Sequence, residues 1–145
     1  LSAPCVVDSK EAKGVLLNDS YVREVIDLFD DVTLALVGIG AIEPSPLIAS
    51  SGNIFSSEEL GMLRQQGAVG DVLAQFYNRE GEPVEASLKD RVIGMSLDQI
   101  KHVKRSVGVA GGERKHEAIR GALLGQYINV VITDYITAET LTQPK

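Results

Sequence analysis

The sequence predicts an α/β protein: a mostly parallel sheet flanked by helices, with a small β-hairpin. Three observations carry this prediction. Val32 to Val37 is a nearly continuous apolar run without alternation, the pattern of a parallel strand covered on both faces. Val107–Ala110, Glu113–Leu124 and Ile128–Ile132 read as strand, helix and strand, spanning about 30 residues, the length of a right-handed βαβ unit. Val22, Val25, Ile26 and Phe29 recur at spacings of three and four, which marks an amphipathic helix.

The elements follow in order. Ala3 to Val7 is a short apolar run that could form a strand. Asp8 or Ser9 can cap a helix reaching Leu17, with Lys10 to Lys13 on its polar side, and Asn18 or Asp19 can cap the next. After the Val32–Val37 strand, Gly38-Ile39-Gly40 reads as the start of a loop that continues through Pro44, Ser45, Pro46, Ser50, Ser51 and Gly52. Ser56 and Glu59 have capping-box spacing, and Gly67 is placed to end the helix they open. Val72–Tyr77 and Pro83–Glu85, separated by a turn containing Gly81, suggest the hairpin, with Pro83 at a sheet edge or strand start. Ser96 and Gln99 frame another short capped helix, and a last helix begins near Thr137.

Composition narrows the function. The chain has 145 residues, enough for one compact domain with a core, and 44% hydrophobic and 23% charged residues, ordinary for a globular domain. Its first residue is Leu1, so a fragment or a processed chain is expected. No apolar run is long enough for a membrane span and no secretory signal stands at the N-terminus. The single cysteine, Cys5, cannot form an internal disulfide and fits a reducing, cytoplasmic setting; Pro4, Val6 and Val7 around it suggest a buried thiol. A net charge of −6 argues against this chain gripping a nucleic-acid backbone itself. The basic cluster Lys101, His102, Lys104 and Arg105 reads as a solvated helix end. His102 and His116 are the only histidines, and neither has a second Cys or His at metal-ligand spacing, so neither metal nor cofactor is expected.

The candidate chemistry gathers at one edge of the sheet. Ligands in parallel α/β sheets bind beyond the carboxyl ends of the strands, where Gly38-Ile39-Gly40, Gly111-Gly112 and Thr133-Asp134 are expected. On a helical wheel Lys115 falls amid Ala118, Ile119 and Ala122, in the first turn, where a cation opposes the helix dipole. It either meets an anionic group or snorkels past the sheet edge into water. Gly38, Gly40, Gly111 and Gly112 would offer backbone amides and close approach. Asp71 can accept hydrogen bonds from sugar hydroxyls or serve as a loop cap, and Asp134 can join the site or cap the final helix. Gly-Ile-Gly alone is weak, lacking the third glycine and acidic partner of a dinucleotide fingerprint.

Gly67-Ala68-Val69-Gly70-Asp71, the Gly81 turn, Arg91-Val92-Ile93-Gly94, Ala110-Gly111-Gly112 with Lys115 and Ala118-Ile119, and Ile128-Asn129-Val130 through Thr133-Asp134 form an ordered series. In that order they resemble the effector-binding, or sugar-binding, domain of SorC/DeoR-type bacterial transcriptional regulators, over nearly the whole chain. The Leu-Ser-Ala-Pro opening and the Gly38-Ile39-Gly40 segment match as well. The resemblance implies a Rossmann-like domain related to ribose-phosphate isomerase, glucosamine-phosphate deaminase and CoA-transferase folds. It implies a sugar or sugar-phosphate effector and control of operator DNA through a helix-turn-helix outside this chain, within a dimer or tetramer. It also implies that Lys115 contacts a phosphate and that Asp71 contacts the effector's hydroxyls. Two departures are visible: the headpiece and the first part of the effector domain, with its glycine- and threonine-rich phosphate loop, are expected to lie outside the chain, and Tyr135 stands where the family usually has glutamate. Tyr135 could stack on or cover a ligand. The other readings are a sugar-phosphate isomerase or deaminase using Asp71 or Asp134 as a base, and a pure oligomerisation domain.

Overall fold

The computed structural model describes residues 1–43, 55–84 and 87–143. In chain order the elements are α1 (Lys10–Leu17), α2 (Ser20–Asp27), β1 (Leu34–Ala41), α3 (Ser57–Gln65), β2 (Ala68–Val72), β3 (Gln75–Asn78), α4 (Leu97–His102), β4 (Arg105–Val109), α5 (His116–Leu124), β5 (Val130–Ile132) and α6 (Tyr135–Thr142). Single 3-10 turns stand at Leu28–Asp31, Ser87–Arg91 and Glu113–Lys115.

The strands form one five-stranded sheet in the order β3-β2-β1-β4-β5. β1, β4 and β5 run parallel, and β2 and β3 continue the sheet as an antiparallel pair. The α/β class read from the sequence holds, and the hairpin is part of the main sheet. Parallel strands joined by α5 supply the βαβ unit, and the antiparallel strands extend β1 beyond the length of β4.

That extension corrects one expectation. Gly38-Ile39-Gly40 is strand, not loop: β1 continues to Ala41 because β2 takes over its hydrogen bonding where β4 ends, with Gly38 opposite Val109 and Gly40 opposite Asp71. The hairpin turn is displaced too. β2 and β3 reverse at Leu73-Ala74, with φ of 55° and 59°, and Gly81 (φ 82°) makes a second reversal that returns the chain to a bridge between Tyr77 and Pro83. Glu85 of the expected second piece, and the loop residues Pro44, Ser45, Pro46, Ser50, Ser51 and Gly52, lie outside the described residues.

Ala3–Val7 is not a strand but a single bridge, Val6 with Val92, flanked by Val7 N–H donating to the Arg91 carbonyl and Ile93 N–H to the Cys5 carbonyl. Pro4 has no N–H with which to prolong it. Cys5, on this peripheral segment, is exposed rather than buried.

The helix signals hold closely. Ser9 and Asp19 cap α1 and α2, and Ser56–Glu59 and Ser96–Gln99 form complete capping boxes. Each satisfies amide groups that the helix itself leaves unpaired. Gly67 ends α3 with φ of 87°. The Lys101–Arg105 cluster is solvated as expected, with Lys101 Nζ 5.0 Å above the Tyr127 ring.

The main core lies on one face of the sheet. Val37, Ile39 and Val72 pack there against Ile100, Ala118, Ile119, Ala122 and Ile128. Tyr77 and Tyr127 stack in it at 5.2 Å, their hydroxyls donating to the carbonyls of Ala118 and Gly81. A smaller cluster of Leu63, Ala68, Phe76 and Leu88 seats α3 beside the antiparallel strands. The opposite face of the parallel strands differs from the expectation of two covered faces. Paired residues of neighbouring strands project to the same side, and Leu34, Leu36, Val109, Val130 and Ile132 are exposed there.

Candidate functional site

The carboxyl ends of β1, β4 and β5 bring the predicted residues together in two groups. The first is Gly40, Asp71 and Lys115. Gly40 and Asp71 are opposite one another on β1 and β2, and a methyl group at position 40 would overlap Asp71 Oδ1. Glycine is therefore needed at 40 to leave room for the carboxylate. Asp71 Oδ2 accepts the Ala74 N–H at 3.2 Å, which fastens the side chain to the left-handed Leu73-Ala74 turn.

Lys115, expected as the third residue of a helix from Glu113, instead precedes the helix, which begins three residues beyond Glu113 at His116. It ends the Glu113–Lys115 turn and occupies the N-cap of α5, with φ −105° and ψ −1°. Its half-buried side chain neither projects into the core nor snorkels freely: Nζ donates to the Ile39 carbonyl at 2.7 Å. The charge of this ammonium is felt by the Asp71 carboxyl without an ion pair between them. Burial raises the Asp71 carboxyl from 3.8 to about 6, while the Ala74 amide and the Lys115 charge pull in the other direction. At neutral pH the carboxyl is still mostly ionised and able to accept hydrogen bonds from hydroxyl groups.

The second group is Gly111, Gly112 and Asp134. Gly112 has φ 90° and ψ 150°, a conformation open to glycine, and a methyl group at Gly111 would overlap Asp134 Oδ2. Asp134 is the N-cap of α6, accepting from Thr137 N–H at 2.9 Å, and it also accepts the Gly112 N–H at 2.9 Å. Hydrogen bonds from the Thr137 hydroxyl, the Thr137 amide and the Gly112 amide hold its carboxyl down at about 2. The helix begins at Tyr135, two residues before the sequence placed it.

Gly38 differs from the other glycines. Space for a side chain is open around it, and it lies on the uncovered sheet face beside Val109. Tyr135 is exposed at the start of α6 and touches neither group through any hydrogen bond found. Sequence reading overlooked Ile39, whose carbonyl seats Lys115, and Thr137, fully buried with its hydroxyl bonded to both Asp134 and Gly112. The Asp134-x-x-Thr137 spacing of an N-cap was the available signal for the latter.

An open groove of about 300 Å³ at the end of β1 is lined by Ile42, Glu43, Arg64, Val69 and Arg114; Asp71 and Lys115 are not in its wall. Among the described residues no group of three His, Cys, Asp or Glu side chains could hold a metal ion, and no helix is long and apolar enough to cross a membrane.

Polar loops gathered at the carboxyl edge of parallel strands place the molecule in the class of ligand-binding α/β domains. Residues 1–143 match the family described as "Putative sugar-binding domain". The chain belongs to that family. It is 35% identical over 97% of its length to the deoxyribonucleoside regulator of Bacillus subtilis (strain 168), and 39% identical over 97% to the transcriptional regulator LsrR of Klebsiella pneumoniae subsp. pneumoniae. It spans 44% of the length of each of these relatives. The full-length sorbitol operon regulator SorC of Klebsiella pneumoniae superposes with a TM-score of 0.90 at 26% identity, over 99% of this chain and 46% of that one. These relatives are transcriptional regulators, which favours the regulator reading over the sugar-phosphate isomerase or deaminase.

Proposed function

We propose that this chain is the effector-sensing part of a bacterial transcriptional regulator, in which a sugar or sugar phosphate binds at the carboxyl edge of the sheet and changes affinity for operator DNA. The observation that carries this reading is a half-buried ammonium, Lys115, held on the Ile39 carbonyl at that edge, with the Asp71 carboxyl facing Gly40 on the neighbouring strand and feeling the Lys115 charge. Lys115 takes the anionic group and Asp71 the hydroxyls. Gly38 gives access from the uncovered sheet face, Gly40 leaves room for the Asp71 carboxylate, and Gly111 and Gly112 shape the loop that carries Lys115. DNA is contacted by a helix-turn-helix outside this chain, copies of the regulator associate, and the protein works in the cytoplasm, where the operator is.

The remainder of the effector domain, in this reading, seats on the bare face of the parallel strands. Support comes from Leu34, Leu36, Val109 and Ile132, which are apolar and exposed, and from Asp71 and Gly40 projecting to that same side. Parallel strands are normally covered on both faces. A ligand would then be held between this face and what covers it, and it shifts operator binding only to the extent that it prefers one subunit arrangement over another.

The test is the thermal midpoint of the whole protein that carries this chain, measured against a panel of sugars and sugar phosphates. A phosphorylated sugar is expected to raise the midpoint, and Lys115→Ala to abolish that rise, with the unliganded midpoint itself lowered by the lost bond to the Ile39 carbonyl. A broad panel that moves neither protein overturns the phosphate assignment.

A further inference from the structure

The glycine pair that ends β4 already has an anion beside it, supplied by the chain. An ordinary helix cap accepts one or two amides from its own first turn. Asp134 does that with Oδ1, through Thr137 N–H, and then uses Oδ2 elsewhere. Oδ2 accepts the Thr137 hydroxyl at 2.7 Å and the Gly112 amide at 2.9 Å, across 22 residues of sequence. The same Gly112 amide lies 3.0 Å from Thr137 Oγ1, which is fully buried. His116 Nε2 approaches that hydroxyl at 3.3 Å.

Gly112 in turn fixes Lys115. Its carbonyl accepts the Lys115 N–H at 2.9 Å and closes the turn on which the lysine stands. The Lys115 side chain then reaches the Ile39 carbonyl on β1. A continuous path therefore runs from the α6 cap, through one glycine, to the ammonium at the sheet edge.

We infer that Asp134 is a positioning residue of the candidate site: by holding Gly112 it sets where Lys115 stands, and it ties the loop after β4 to the start of α6. The two glycines are explained by this contact. Gly111 has no room for a methyl group because the Asp134 carboxylate is there, and Gly112, held through its N–H, carries the positive φ that turns the following chain into the Glu113–Lys115 turn. The Gly112 amide serves Asp134 rather than an incoming anion, so an anion at this edge depends on Lys115. The importance of Lys115 rests on the proposed effector reading; the positioning by Asp134 does not.

The experiment uses Asp134→Asn, which is isosteric. Its Oδ1 still accepts the Thr137 amide and keeps the helix cap, but an NH₂ group replaces Oδ2 and faces the Gly112 donor. Two readouts on the whole protein that carries this chain are followed: amide hydrogen exchange, and acylation of Lys115 by acetic anhydride, read by mass spectrometry. With Thr137 Oγ1 left as the only acceptor, exchange at Gly112 is expected to speed several-fold, with α6 amides still protected and Lys115 acylated several-fold faster. Gly111→Ala, which pushes the carboxylate away, is expected to give the same two changes. Unchanged Gly112 exchange in Asp134→Asn overturns the inference, and so does a loosened Gly112 with Lys115 reactivity at the native level, which is the result of a purely capping role. Protection of native Lys115 from acylation by inorganic phosphate tests the effector reading separately, so either idea can fail alone.

Discussion

Asp71 shows how one buried carboxyl can weaken a fold at neutral pH. Its carboxyl is raised by burial from 3.8 to about 6, so the folded protein holds this proton more tightly than the unfolded chain does. Stability from this group is therefore fully present below about pH 4 and is lost as pH rises through about 6. The difference, about 2 units, corresponds to about 3 kcal/mol. Asp71→Asn is expected to remove this slope and to raise the denaturant midpoint at pH 7, because the amide is neutral and its oxygen can still accept the Ala74 N–H. Urea titrations at pH 4, 5 and 7 check it, and a native-like slope in the variant would show that another group is responsible. The same substitution is expected to lose affinity for hydroxylated ligands, the usual cost of relieving strain at a binding site. In the sequence Asp71 was open to two uses, a loop cap or a ligand contact, and the bond it accepts from the Ala74 N–H is the capping one. That partner was not legible, since Ala74 offers only a backbone amide.

Among the elements, the β2–β3 hairpin departs most from what local sequence suggests. Two consecutive positive φ values at Leu73 and Ala74 are those of a type I′ turn, normally made with Asn-Gly or Gly-Gly. The sequence reading therefore placed the reversal at Gly81, where glycine does stand at positive φ, and missed the tighter one. Leu73 is kept because it packs against the main core, and Ala74 because the geometry brings its amide to Asp71. Left-handed conformations cost a residue with a Cβ about 1 kcal/mol. Ala74→Gly is accordingly expected to stabilise the protein by up to about 1 kcal/mol, seen as a higher urea midpoint with an unchanged slope. Helices α1 to α4 were readable to within a residue or two because their caps are side chains, at Ser9, Asp19, Ser56 and Ser96. The ends of β1 and the start of α5 were not. β1 is prolonged by a partner distant in sequence, and α5 is delayed by the turn that Asp134 pins from 22 residues away. Local signals encode caps; only the folded chain reveals which backbone groups are claimed by remote partners.

At the scale of the molecule, the sheet is finished on one side and bare on the other. Ala35, Val37 and Ile39 point into the core beneath α5, while the alternate residues Leu34 and Leu36 meet solvent, Leu36 with 70% of its surface exposed and Ile132 with 55%. A contiguous apolar patch of this kind marks a surface that another layer covers. If it is covered within the effector domain, a charge placed there has opposite consequences in two settings. In the 145-residue chain alone, Leu36→Lys with Ile132→Lys is expected to improve solubility, reduce binding of a hydrophobic dye and weaken self-association in sedimentation, with no loss of helical signal. In the whole protein the same pair buries two ammonium groups without partners, an expected loss of several kcal/mol, and effector-induced stabilisation is lost with it. Equal tolerance in both settings would mean that the face stays open to solvent in the complete regulator. Under the proposed function, an effector at Lys115 and Asp71 would then be held from one side only, at the rim of an exposed sheet.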